Sequence, residues 1–166
     1  MTGLMKIVRI ASNRLAAPRE RRLHRKALLY WDSLRREREF PLLDEFDFLK
    51  LEDGFTQGLL LDLSDSCHPL LTHVGHVLRE EAELAALPVM LNDVSPASLV
   101  GQFGRRWEQV LSERKPVESE YDFITEAGYH VYCRGVLLPL STEGSSINQI
   151  YGVIGWKSEK VLGAGG

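Results

Sequence analysis

Two short glycine-bearing segments in the second half of the chain limit its topology most. EAG at 126–128 and STEGSS at 141–146 separate three runs rich in β-branched and aromatic residues, at 117–125, 129–140 and 147–157. A parallel strand pair needs a crossover of a dozen or more residues, and neither segment is long enough to hold one. The three runs are therefore expected to form an antiparallel meander joined by tight turns.

Upstream, QGLLLDL at 57–63 is a short apolar run bounded by Gly54 and the turn cluster SDS at 64–66, which suits a buried strand. PLLTHV at 69–74 is its expected hairpin partner. After Gly75, the apolar positions of HVLREEAELAAL recur at helical spacing until Pro88. Ser95 and Pro96 have the chemistry of an N-cap and first helical position. The stripe Leu99, Val100, Phe103, Trp107, Val110, Leu111 then predicts one helix up to Lys115 and Pro116. Inside it, Gly101 and Gly104 are expected to allow close packing on the sheet.

Near the start, Leu23, Ala27, Tyr30, Trp31 and Leu34 recur at steps of three and four from Arg19 to Arg38, and Pro41 follows. An isolated helix of this length is marginal in water, so its stripe needs cover. Its two large aromatics are of the kind enriched at interfaces, so a second copy of the chain is the expected cover, with the chain's own sheet as the alternative. The chain is thus divided into a flexible leader at 1–18, a dimerising helix at 19–40, one domain at 41–160 and a frayed tail at 161–166.

At 166 residues the chain suits a single core. Its apolar and charged shares, 44% and 26%, are those of an ordinary globular domain. Residues 1–40 carry 11 Lys and Arg against 4 acids, whereas the remainder carries 9 against 19. The basic charges are interleaved with Leu23, Leu28, Tyr30, Trp31 and Leu34, which reads as one wet helix face and not as a nucleic-acid site. No apolar run approaches membrane-spanning length. With no leader peptide and only Cys67 and Cys133, reduced thiols and a cytoplasmic location are expected.

Candidate chemistry is sparse. His68, His73, His76, Glu80 and Glu81 are the densest potential metal ligands, but a strand at 69–74 broken by Gly75 points His73 and His76 apart, so no metal site is expected. Cys67 beside His68 lacks a third orienting group, and Cys133 lies in a strand where a small side chain fills core space, so no thiol nucleophile is expected. No phosphate loop and no serine elbow occur, and neither catalysis nor a cofactor is expected.

The order of two strands, helices and three strands is joined by specific words. These are LLYWDSLRREREFP at 28–41, GLLLDL at 58–63, LLTHVGHVLREEAEL at 70–84, and RGVLLPLSTEG followed by INQIYGVIGWK within 134–157. Over about residues 28–157 the chain resembles the PAS superfamily, in particular small bacterial proteins made of a single PAS-like domain. The resemblance implies an α+β fold: a five-stranded antiparallel sheet with helices on one face, preceded by an N-terminal helical extension that dimerises.

It also implies a pocket between helices and sheet, for which Phe103, Trp107, Tyr132, Tyr151 and Trp156 are the candidate lining, although aromatics at such positions are more often core. The implied function is sensory or regulatory contact with an unidentified signalling protein, gated by a small apolar ligand. The alternative is a carrier or sensor that keeps a metabolite in that pocket. His76, and Ala85 to Pro88 where the next helix commonly ends on glycine, depart from the family pattern as it bears on a ligand.

Overall fold

The computed structural model describes residues 6–8, 18–51, 57–125 and 127–161. It is an α+β structure with one antiparallel sheet. The strands are β1 (Lys6–Val8), β2 (Gly58–Asp62), β3 (Leu70–Val74), β4 (Val89–Met90), β5 (Val117–Ile124), β6 (Tyr129–Leu140) and β7 (Gln149–Lys160), in the order β1-β5-β6-β7-β2-β3-β4. The expected meander is present as β5-β6-β7, and β2 adds to its far side by pairing with β7.

Among the described residues the sheet has seven strands where five were expected. The two extra strands, β1 and β4, are three and two residues long and lie at the two edges. They pair with Ile124 to Asp122 and with Leu70 and Leu71. Neither is long enough to show a period in the sequence. Lys6–Val8 also lies within the stretch expected to be a flexible leader; the rest of that leader up to residue 17, and the tail at 162–166, fall outside the described residues.

The helices are α1 (Pro18–Arg35), α2 (His76–Glu81), α3 (Leu99–Gly104) and α4 (Trp107–Glu113). The first stops three residues short of Arg38 because Arg36 takes a left-handed backbone, with φ of 56°. The helix expected to run to Pro88 ends at Glu81 for the same reason, Glu83 having φ of 54°. The Arg79 guanidinium then donates to the carbonyls of Leu84 and Ala85, which holds the exit turn.

The single helix expected after Ser95 is two. Its N-cap is Ser98, whose hydroxyl accepts from the Gly101 amide at 3.0 Å, and a turn at Arg105 and Arg106 separates α3 from α4. Gly101 and Gly104 do mark close approaches, but against Ser95 and Leu91 and not the sheet. A Cβ at Gly101 would stand 2.1 Å from the Ser95 carbonyl oxygen, and one at Gly104 2.7 Å from Leu91 Cδ1.

Alternation along β6 and β7 gives the sheet two apolar faces. Leu59, Leu61, Leu71, Val131, Cys133, Leu137, Ile150 and Ile154 share a core with Leu78 of α2, Val100 and Phe103 of α3 and Val110 of α4. Val136, Leu138, Leu140, Tyr151 and Val153 form a second core with Leu23, Ala27 and Trp31 of α1 and with Phe40, Phe46 and Leu51. Helices 76–113 therefore occupy one face, and α1 the other.

This places the stripe expected at a dimer interface. Leu23, Ala27 and Trp31 are buried on the chain's own sheet, and Tyr30 and Leu34 pack partly buried against the same cluster. The cover is the alternative one, in cis, and the boundary drawn at 40/41 runs through a shared core. The Trp31 indole also donates to the Pro139 carbonyl at 2.7 Å, which fixes α1 along β6.

Trp31 and Trp107 should consequently differ on truncation. Trp107 is half-buried and not fully enclosed against the sheet as its stripe position suggested. Trp31→Ala should cost about 3–5 kcal/mol, the range for a buried large aromatic. Trp107→Ala should cost about 1–2 kcal/mol. Equilibrium chemical unfolding of the two variants reads the difference, and equal losses would contradict the placement.

Candidate functional site

The space between α2–α4 and the sheet is where a pocket was expected. Phe103, 1% exposed, lies over Gly135 of β6, where a Cβ would fall 2.6 Å from its ring atoms. Its ring meets Tyr121 edge-on at 5.2 Å, and the Arg106 guanidinium sits 4.8 Å over the outer part of that pair, above the Tyr121 ring. Trp107 and Trp156 pack half-buried against the same core. Missing a side chain, Gly135 lets the phenyl ring settle onto the strand and fill this space.

Only three of the five candidate lining residues share this face. Tyr151 is fully buried on the opposite side, its ring 5.0 Å from Phe46, and burial pushes its phenol up. Tyr132 is half-buried with its ring 4.2 Å from that of His130 and under the Lys157 ammonium at 6.0 Å. The separation follows from strand parity. Tyr151 and Trp156 are five apart on one strand and so point to opposite faces, and Tyr132 is out of step with its neighbour Cys133.

On the helix face, Cys133 and Glu81 are bonded to backbone groups. Burial first, and then the nearby carboxylates of Glu81, Asp122 and Glu120, push the Cys133 thiol far up; it donates to the Tyr121 carbonyl at 3.5 Å. Glu81 is raised by desolvation while its carboxylate accepts from the Leu99 amide at 2.8 Å, so it serves the first turn of α3. Cys67 is exposed in its turn, where its amide donates to Asp65 Oδ1 and His68 Nδ1 lies 3.0 Å from Asp65 Oδ2.

His76 and Glu80 line an open surface hollow of about 450 Å³ with Arg79, Glu83, Leu84 and Ala85, whereas His73 is a half-buried strand residue opposite Leu60. Among the described residues no three His, Cys, Asp or Glu side chains are arranged to hold a metal ion, and no helix is long and apolar enough to cross a membrane.

On the α1 side the structure shows a polar strip that sequence reasoning passed over. Glu118, Glu120 and Asp122 alternate along β5 with Ser119 and Tyr121. The Asp122 carboxylate is 1% exposed, with Oδ2 2.6 Å from His130 Nε2, and His24 of α1 bonds through Nε2 to Glu118. The pattern VESEYDF carries the signal, three acids at period two facing whatever covers that side.

The two layers meet at one end of the sheet. Arg114, which caps α4 with φ of 54°, donates to both carboxylate oxygens of Glu39 at 2.8 and 2.7 Å and to the Ser145 carbonyl at 2.8 Å, and lies 5.1 Å from the Phe40 ring. The guanidinium holds the Glu39 carboxyl below its usual range. The adjoining β6–β7 turn is rigid in its own right, because the Ser145 hydroxyl and the Ser146 amide bond the Glu143 carboxylate and hold its pKa down to about 2. No protein-family model and no curated protein matches the chain.

Two outcomes follow from the helix-side geometry. Gly135→Ala should destabilise by about 1–3 kcal/mol through overpacking against the phenyl ring. The loss should shrink in a Phe103→Leu background, as a double-mutant cycle would register; additive losses would mean that the two do not touch. With a thiol-reactive chromophore at neutral pH, Cys67 should react in the native chain and Cys133 only on unfolding. Two equally fast thiols would contradict the burial of Cys133.

Proposed function

We propose that the chain is a non-catalytic PAS-like regulatory module of the cytoplasm that acts through contact with another protein. The placement of helices 76–113 between the second and third of five long antiparallel strands supports the PAS-like reading, as it is the plan that the resemblance implied. The observation that carries contact over ligand binding is Phe103, whose ring lies against Gly135 and Tyr121 where a gating ligand or carried metabolite would sit. Burial pushes the Cys133 thiol up, which makes that side chain a poor nucleophile.

Contact then belongs to the outside of the molecule. The solvent face of α1 presents Arg22, Arg25 and Leu29, the last 60% exposed, while the opposite face of the helix is spent on the sheet. A basic face with an exposed apolar residue suits a partner surface bearing carboxylates around an apolar recess. A homodimer is no longer needed to bury the stripe of Leu23, Ala27, Tyr30, Trp31 and Leu34.

The reading is tested in two steps. Native mass spectrometry of the chain, purified without denaturation, should return the bare monomer mass; a stoichiometric small-molecule adduct would transfer the protein to the carrier reading. A photo-crosslinking residue placed at Leu29 in cells should trap one discrete heterologous protein, which the same residue at exposed Glu108 does not. Products limited to self-adducts, or the same products from both positions, would overturn contact through α1.

A further inference from the structure

Helix α1 is held on the sheet by its apolar stripe and, among the described residues, by polar side-chain contacts at different heights. Trp31 bonds the Pro139 carbonyl near its C-terminal end, and His24 bonds Glu118 nearer the N-terminal end. His24 is 5% exposed. Its Nε2 is engaged by Glu118, while its Nδ1 is buried and has no hydrogen-bond partner. A neutral ring can leave Nδ1 as the unprotonated nitrogen and bear the lost acceptor bond. A charged ring cannot, because both nitrogens then carry protons and the second is enclosed with nothing to accept it.

We propose that His24 makes α1 an acid-released latch: protonation of this ring loosens the N-terminal part of the helix from the sheet and uncovers the apolar face of β6 and β7. The groups that face His24 are Glu118 and Glu120 from β5, whose charges favour the proton, and Arg134 from β6, which opposes it. Burial outweighs them, and the folded value lies below the ordinary one. A histidine depressed on folding costs nothing at pH above its unfolded pKa of about 6.5, and stability is lost as pH falls from there through the folded value.

The loss is directed by the rest of the fold. The C-terminal end of α1 leads through the left-handed turn at Arg36 to Glu39, which Arg114 clamps to α4 and the β6–β7 turn. The end bearing His24 is beyond that clamp, so the helix opens from the His24 end. Opening exposes Val136, Leu138, Tyr151 and Val153 with Leu23 and Ala27, a matched pair of apolar surfaces. The core under α2–α4 is a separate cluster and stays closed. This device holds whichever partner or ligand the protein serves.

Amide hydrogen exchange of the whole chain, corrected for the chemical rate at each pH, tests it. Between about pH 7.5 and about pH 5, peptides within 22–35 should lose protection by up to roughly tenfold per pH unit below the ordinary histidine value, while β2 and the helix-side strand positions keep theirs. His24→Gln, which retains a donor toward Glu118 and cannot titrate, should show α1 protection independent of pH. Should that variant not fold, the ring titration of His24 in the native chain, followed by NMR, decides the matter. Half-protonation below the ordinary histidine value supports the latch. Half-protonation at or above it, a loss of protection shared equally by α1 and β2, or an unchanged pH response in His24→Gln overturns it.

Discussion

Everything in this fold hangs on the pairing of β6 with β7. Each strand is 12 residues long, and the register runs without a break from Tyr129 opposite Lys160 to Leu140 opposite Gln149. A hairpin of that length fixes which side chains point up and which point down along the whole molecule, since a slip of one residue would exchange the two faces. One face recruits α2–α4 through Cys133, Leu137, Ile150 and Ile154; the other recruits α1 and residues 40–51 through Val136, Leu138, Tyr151 and Val153. The connection at 141–148, braced by Ser141, Glu143 and Asn148 with Gly144 at φ of 104°, closes the hairpin.

Elements whose signal is periodic were legible in the sequence, and those set by a single backbone torsion were not. Strands at 57–63, 69–74, 117–125, 129–140 and 147–157 correspond within about three residues to those observed, because alternating burial wrote itself into Val, Ile, Leu and aromatic positions. Helix ends were missed where Arg36 and Glu83 adopt left-handed backbones, a conformation that neither residue type announces. The break between α3 and α4 was hidden because Trp107 and Leu111 continue a helical spacing that Leu99, Val100 and Phe103 began, although the stripe is interrupted in space.

The site was read less well than the fold, and for a different reason. Grouping Tyr132 and Tyr151 with Phe103, Trp107 and Trp156 used their size and ignored their parity, which was already present in the residue numbers once the strands had been drawn. Reading Glu118, Glu120 and Asp122 by parity would likewise have exposed a strip of acids, running from exposed Glu118 to buried Asp122, opposite a helix whose own inward positions include His24. Such polar interiors escape pattern methods that count only apolar positions. They are also where a fold's response to its surroundings is stored, because each buried ionisable group ties protonation to packing.

The Arg114 guanidinium has a mechanical meaning beyond its hydrogen bonds. It touches Glu39 from the α1 layer, Ser145 from the sheet's own turn and the Phe40 ring, and its backbone terminates α4 from the opposite layer. Groups from the three layers are pinned together here at one corner, in the manner of a rivet through stacked plates. The link from α4 to Glu39 and Phe40 therefore runs around the end of the sheet and not through it.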